Sequence, residues 1–182
     1  MDILAYVLSL AGLLSMILAS LTKGEKMKQI LFLVFLGNAL VATSYLVDGS
    51  GINGAAACYV GAIQTLINYF FDSKGKPLPK WLIALYALAF IVVNIWVAGG
   101  ITALGLLVIV ASLTFIMCIG QKSGAKYRFW TIVNMLLWCL YDVLSGSYPV
   151  LLTHGIQLVF AVVGMMIHDR KAEKTEENAK AL

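Results

Sequence analysis

The sequence predicts an all-α integral membrane protein with seven transmembrane helices, arranged as two parallel three-helix bundles joined by an inverting fourth helix. Three observations predict this fold class: the composition, the placement of the basic residues and an internal repeat. Of 182 residues, 61% are hydrophobic and 12% are charged, and the mean hydropathy is +0.91. A soluble domain is about half apolar and about a quarter charged, so this chain lacks the polar surface of a water-soluble globule.

Seven apolar stretches are each long enough to cross a hydrocarbon core, which needs about 20 helical residues. They lie at residues 3–21, 29–47, 53–71, 81–98, 101–119, 127–146 and 150–168. These stretches are too long for barrel strands and do not alternate with period two, so helices are the predicted way to satisfy the backbone in lipid. No basic residue precedes the first stretch and no small-residue cleavage site follows it, so we interpret it as a retained span.

All thirteen lysine and arginine residues fall in or at the edge of alternate gaps between these stretches, or in the C-terminal tail. They are Lys23, Lys26, Lys28, Lys74, Lys76, Lys80, Lys122, Lys126, Arg128, Arg170, Lys171, Lys174 and Lys180. By the positive-inside rule this pattern predicts a multi-pass protein of the bacterial inner (plasma) membrane, with the N-terminus outside, the C-terminus in the cytoplasm and an odd number of spans. The same placement along the membrane edge excludes nucleic acid as the reason for the basic balance.

An internal repeat appears when the chain is slid along itself by ninety-six residues, an offset that becomes ninety-three after the next hinge. The aligned pairs include Asn38 with Asn134, Tyr45 with Tyr141, and Gln64 with Gln157. Three helices reverse the direction of the chain, so a second copy can run parallel to the first only if one extra helix intervenes. The predicted units are a first bundle (1–72), a cytoplasmic hinge and linker helix (73–99), a second bundle (100–169) and a cytoplasmic tail (170–182).

Four amides lie near mid-span at comparable depth, two in each copy of the repeat. They are Asn38, Gln64, Asn134 and Gln157. An unpaired amide costs several kcal/mol in hydrocarbon, so each must face protein, water or a ligand. Bonds between helices are one reading; a polar midplane site between the repeats is the other. We predict a substrate site formed by these amides and flanked by Asn68 and Trp138.

Five further residues are accessory candidates. Tyr45 and Tyr141 lie near the outer span ends, where anchoring at the membrane interface is the default, and Tyr59 could stack on a planar or sugar-like substrate. Asp142 is the only acid well within a span and could carry a proton or attract a cation. His154 could titrate near neutral pH, although a single histidine in a span is more often a structural hydrogen-bonding residue.

No pattern in the sequence indicates catalysis, a metal site or a cofactor. Motifs such as HExxH, GxSxG and the P-loop are absent, and Cys58, Cys118 and Cys139 stand far apart in apolar runs. We therefore expect no enzyme activity. The expected partners are a small-molecule substrate and the lipid bilayer, and the sequence leaves homo-oligomerisation open.

The seven spans and the repeated Asn–Tyr spacing resemble the SWEET and PQ-loop superfamily, which includes SWEET and SemiSWEET sugar facilitators, PnuC-type vitamin transporters and the KDEL receptor. Within it, residues 3–168 look most similar to the bacterial YgjV-type inner-membrane family. The Pro-Gln pair of PQ-loop proteins is absent here. SWEET-type sites use an asparagine on a third helix, which Asn68 matches, and PnuC-like sites place tryptophan and amides around a planar ring, as Asn134, Trp138 and Gln157 could do.

The leading hypothesis is a facilitator or uniporter that moves a small, uncharged, polar metabolite by alternating access around the amide-lined site. The substrate would be similar to a sugar, a nucleoside or a vitamin. Passive transport is preferred, because no second acid is available for proton coupling. The alternatives are a receptor or scaffold similar to the KDEL receptor, with no transport, and a structural membrane protein whose amides only bond one another.

Overall fold

The computed structural model describes residues 3–23, 26–49 and 51–180, with side chains described as far as residue 168 apart from that of Pro149. Over these ranges the chain forms seven α-helices and no strand. The helices are α1 (Ile3–Leu21), α2 (Met27–Asp48), α3 (Ile52–Ser73), α4 (Lys80–Val97), α5 (Ala103–Ile119), α6 (Gly124–Ser145) and α7 (Tyr148–Lys180). Each apolar stretch of the sequence is therefore a helix, and the predicted all-α class is confirmed.

The helix ends are set by local chemistry that hydropathy does not register. α2 and α6 both stop at a glycine in the left-handed region, Gly49 at φ 71° and Gly146 at φ 74°. The Thr102 and Ser123 side chains start α5 and α6 by accepting hydrogen bonds from backbone N–H groups of the first turn. α7 continues to Lys180, so most of the stretch predicted as a tail extends the last helix.

Four helical segments are long and apolar enough, within the described residues, to cross a membrane. They are Ile3–Leu21, Met27–Asp48, Lys80–Val97 and Val150–His168. Ala103–Ile119 is apolar but slightly shorter, at 17 residues. α3 and α6 are more polar because they carry buried polar side chains, among them Gln64 in α3 and Asp142 in α6.

The distribution of side chains differs from that of a water-soluble protein. Large apolar residues cover the outside, as Trp96 (80% exposed) and Leu14 (62% exposed) illustrate. Polar side chains are buried in the interior among apolar ones, and Asn94, Asp142 and Arg128 are at most 1% exposed. Apolar surface favours lipid, and buried polar groups favour one another, so this arrangement fits a helical bundle embedded in a bilayer.

Six of the helices form a closed ring of contacts. α1 packs on α2, α2 on α3, α3 on α5, α5 on α6, α6 on α7, and α7 returns to α1. α4 lies against α3 and α5 and buries a single stripe of residues spaced four apart: Leu82, Tyr86, Phe90 and Asn94. The ring surrounds an interior to which every helix contributes side chains, and the candidate site lies there.

The loops form two ends of the bundle that differ in charge. The ends of α1, α3 and α5 meet hinges that carry lysine, such as Lys23, Lys74 and Lys122; we call this the basic end. Gly49, Gly51 and residues 98–102 and 146–147 lie between helices at the other end, which we call the opposite end, and none of these residues is basic.

Glycines allow the closest helix contacts. A Cβ atom added at Gly12 of α1 would lie 2.8 Å from the Val41 side chain of α2. A Cβ atom at Gly164 of α7 would overlap the backbone carbonyl oxygen of Ser20 and lie 3.2 Å from Cδ of Arg128. Small residues at helix interfaces let backbones approach in this way, and the close approach contributes van der Waals contact.

Gly164→Ala is expected to lower the melting temperature of the purified protein in detergent, because the added methyl group forces α7 away from α1. Overpacking of this kind costs about 1–3 kcal/mol. Gly155→Ala on the same helix is the matched control, since its added Cβ meets no atom within 4 Å. Equal melting temperatures for the two variants would contradict the α1–α7 packing.

Candidate functional site: a polar central cavity

A central cavity lies inside the ring and is lined by residues from all seven helices. Its volume is about 30 Å³, which is room for about two water molecules. We call it the central cavity. The polar and aromatic residues that line it are Asn38, Cys58, Phe90, Ser112, Phe115, Cys118, Tyr127, Thr131, Asn134, Trp138, His154 and Gln157. In this closed form the cavity is too small for a metabolite, so a ligand would require the helices to separate.

Three of the four predicted midplane amides line this cavity, and each keeps polar atoms free. Nδ2 of Asn38 donates to the Val34 carbonyl on its own helix, at 3.0 Å. Nδ2 of Asn134 donates to α5, at 2.6 Å to the Ala111 carbonyl and 2.9 Å to Thr114 Oγ1. Their side-chain oxygens accept no hydrogen bond from the described residues, and Gln157 makes none with its amide.

Gln64 and Asn68 do not line the central cavity. Gln64 is 1% exposed, and neither its side-chain oxygen nor its nitrogen has a partner among the described residues. Asn68 donates to the Ile119 carbonyl at 3.3 Å and accepts from the Tyr86 hydroxyl at 3.2 Å. Asn68 and Asp72 line a second pocket of about 70 Å³ at the basic end. Asn68 therefore belongs to a different pocket from Asn134 and Gln157.

An acid and a histidine meet next to the cavity. Oδ2 of Asp142 lies 2.6 Å from Nδ1 of His154, and the Tyr45 hydroxyl donates to Oδ1 of Asp142 at 3.2 Å. We call these three residues the Asp142 cluster. Asp142 is 0% exposed, whereas His154 also lines the central cavity. The imidazole packs on the Trp138 indole, with ring centroids 5.6 Å apart and planes inclined by 33°.

Tyr45 and Tyr141 were expected at the membrane interface, and the structure corrects this: they are 1% and 3% exposed. The Tyr45 ring is held between Gly51 and Gly54, where an added Cβ would approach it to 2.7 Å and 2.9 Å. The Tyr141 ring packs edge-on against Trp138, with centroids 5.5 Å apart. These contacts explain the burial, because a tyrosine inside the bundle can pair its hydroxyl with an acid or pack its ring against another aromatic ring.

Tyr59 is partly buried, and its hydroxyl lies 2.9 Å from Thr43 Oγ1. It is not among the residues that line the central cavity. The stacking role suggested for Tyr59 therefore stays a prediction, whereas Trp138 does line the cavity.

Sequence reasoning missed two features of the interior. It considered Asp142 and His154 separately, although an acid shortly before a hinge and a histidine shortly after it can face each other across two antiparallel helices. It also treated Arg128 as a hinge charge, but Arg128 is 1% exposed and donates from Nη1 to the Thr22 carbonyl at 3.2 Å. His168 lies 3.0 Å from the neighbouring Leu21 carbonyl, so both side chains cap the C-terminal end of α1.

The chemistry available at the site is hydrogen bonding, aromatic stacking and proton binding. The amides offer acceptors, Ser112 Oγ is buried with no described partner, and Trp138 offers a ring face. Within the described residues no three His, Cys, Asp or Glu side chains gather closely enough to hold a metal ion. The free groups suit a polar organic ligand.

An apolar exterior, a helical ring and an interior that contains buried polar side chains define a polytopic α-helical membrane protein. The chain belongs to the Imp-YgjV family of bacterial inner membrane proteins, whose family model matches residues 3–172. No curated protein and no solved structure matches the chain.

Gln64→Met is expected to leave the melting temperature unchanged or to raise it, because it replaces a buried amide without partners by an apolar side chain of similar size. Asn68→Leu, one turn away on the same helix, removes two hydrogen bonds and is expected to cost about 1–3 kcal/mol. Thermal melting of both variants in one detergent checks the difference. A Gln64→Met variant as unstable as Asn68→Leu would show that Gln64 has a structural partner.

Proposed function

We propose that this inner membrane protein is a facilitator for a small, uncharged, polar metabolite that binds in the central cavity. One observation carries the proposal: a small cavity lies at the meeting point of all seven helices and is lined by Asn38, Asn134 and Gln157, whose side-chain oxygens have no partner among the described residues. Unpaired polar atoms inside a membrane bundle are costly, so their presence around a cavity favours a ligand that pairs with them.

The order of helix contacts supports an alternating-access mechanism. Each contact in the first half has a counterpart in the second: α1–α2 with α5–α6, α2–α3 with α6–α7, and α3–α5 with α7–α1. In the proposed 3+1+3 arrangement the halves are α1–α3 and α5–α7, and α4 connects them. Tilting of the halves would open the α3–α5 and α7–α1 interfaces in turn. The basic hinges favour the cytoplasm for the basic end.

The lining favours a cyclic substrate with several hydrogen-bonding groups. Asn38 comes from the first half, and Asn134 and Gln157 come from the second, so a ligand between them would contact both halves at once. The Trp138 face suits a planar base, a vitamin ring or the apolar face of a sugar. A substrate of this kind fits a PnuC-like or SWEET-like role for the chain.

A receptor that binds the same ligand without moving it is the second candidate. One observation favours it: His154 brings a titratable group to the cavity wall, and such a group suits selective recognition. The two candidates differ in flux, because a receptor binds solute without carrying it into vesicles.

A thermal-shift screen of the purified protein against sugars, nucleosides and vitamins tests binding. A ligand at about one hundred times its Kd stabilises the folded state by about 2.7 kcal/mol, which raises the melting temperature measurably. We expect Gln157→Ala to abolish the shift while changing the ligand-free melting temperature little, since the Gln157 amide has no described protein partner. Gln121→Ala, in the hinge at the basic end and away from the central cavity, is the matched control and should keep the full shift.

Uptake of the stabilising solute into proteoliposomes then separates a facilitator from a receptor. Binding without uptake would support the receptor. If no solute in these classes shifts the melting temperature, or if Gln157→Ala keeps the full shift, the central cavity is not the binding site and the proposal fails.

A further inference from the structure

The Asp142 cluster is chemically unusual for this interior, and the proposed passive facilitator does not use it. Among the described residues, α1 and α5 contain no charged side chain and α4 contains only Lys80 at its first position. Asp142 is a fully buried acid with two donors aimed at it, one from α2 and one from α7. A buried acid paired with histidine at a cavity wall is a group able to take up and release a proton.

The acid–histidine pair occurs in only one of the two copies of the repeat. At the ninety-six-residue offset the counterpart of Asp142 is Leu46, and at the ninety-three-residue offset the counterpart of His154 is Gly61. The cavity amide Asn134 does have a counterpart, Asn38, so recognition groups are shared by the halves while the acid–histidine pair is not. A structural requirement common to both halves therefore does not explain the pair.

We propose that His154 and Asp142 bind one transferable proton, and that this proton and an acceptor-bearing cargo are carried together through the central cavity. The inference rests on the proposed transport function and replaces passive flux by proton-linked flux in the same direction. It concerns the same cavity, but it assigns the coupling ion and the residues that hold it.

The geometry fixes where the protons lie. With one proton in the pair, that proton must sit between Nδ1 and Oδ2, because two lone pairs would repel each other at 2.6 Å. Nε2 of His154 is then bare. A second proton, taken from water, forms an N–H bond at Nε2, whether the first is held by nitrogen or by oxygen. On release this N–H bond breaks and the proton returns to water.

Protonation therefore changes what the cavity wall offers to a ligand. Nε2 has no partner among the described residues, and His154 lines the cavity. Without the second proton Nε2 is an acceptor, and with it Nε2 becomes a donor for a carbonyl or a ring nitrogen. The second proton also removes the net negative charge of a pair buried in the membrane. Cargo and proton then bind cooperatively, which is the condition for cotransport.

The other ionisable side chains around this pair are phenols and thiols. Tyr45 from α2, Cys58 from α3, and Cys139 and Tyr141 from α6 lie close enough to interact electrostatically with Asp142. Thiols and phenols ordinarily lose protons at about pH 8.5 and about pH 10, so at neutral pH these neighbours are uncharged. From α1, the neutral hydroxyl of Ser9 lies 2.9 Å from Oγ1 of Thr153, the residue that precedes His154 on α7.

Nuclear magnetic resonance of ¹⁵N-histidine protein in nanodiscs tests the proton site without any ligand. The chain has two histidines, and His168→Gln leaves His154 as the only imidazole while a glutamine amide can still reach the Leu21 carbonyl. We expect a neutral form with hydrogen on Nδ1 that gains a second proton at Nε2 reversibly when the pH is lowered. A neutral form with hydrogen on Nε2, or a ring that stays neutral for as long as the protein is folded, would overturn the inference.

Proteoliposomes loaded with the pH dye pyranine test the coupling. A pool of radiolabelled sugars, nucleosides and vitamins is added outside at equal pH, and we expect uptake together with acidification of the lumen. His154→Gln and Asp142→Asn should lose the acidification, whereas Asp48→Asn, an exposed acid at the same end of the bundle, should keep it. Uptake without acidification would overturn the proton coupling and leave the facilitator intact. Absence of uptake with any solute would overturn the facilitator, and the coupling with it.

Discussion

The structure depends on one constraint: a polar side chain inside a bundle coated with apolar residues can pair only with protein, with enclosed water or with a bound molecule. Asp142 shows the constraint most strongly, because a carboxyl group with 0% exposure is tolerated only where donors reach it. Tyr45 and His154 supply them, and in doing so they tie α2, α6 and α7 together beside the central cavity. Gly51 and Gly54 lie beside the Tyr45 ring and allow that contact, since a Cβ atom at either position would displace the ring.

The same constraint distinguishes the buried amides by which of their polar atoms have protein partners. Asn68 satisfies its nitrogen and its oxygen with protein, between α3, α4 and α5, and is helix–helix glue. Asn134 holds α5 with its nitrogen and keeps its oxygen free, so it combines packing with an open acceptor. Gln157 keeps its whole amide free at the cavity wall. The reading of the amides as bonds between helices applies to Asn68, whereas the reading as a midplane substrate site stays a prediction that the unpaired atoms of Asn134 and Gln157 support.

Hydropathy and charge placement were enough to predict the all-α class and seven helices, because those signals depend only on the chain itself. The position of a polar residue along its helix was predictable from counting residues, but the direction in which its side chain points around the helix was not. Gln64 and Gln157 occupy equivalent repeat positions, yet Gln157 lines the central cavity and Gln64 does not. The same reason explains why the Asp142–His154 pair and the burial of Arg128 were missed. Tertiary packing determines which side chains meet across helices, and the sequence alone does not give that packing.

In the proposed 3+1+3 arrangement, an acid that only one half carries has a mechanical consequence. The bond from Tyr45 to Asp142 would join the first half to the second, whereas the contact between Asp142 and His154 would lie within the second half. If the proposed halves separate at the opposite end, the Tyr45 bond must break. Asp142 would then lose a donor, and an ionised carboxylate would become harder to keep in the bundle interior. Under this proposal, opening at that end favours uptake of a proton and closing favours its release, so one phenol links proton binding to the position of the two halves.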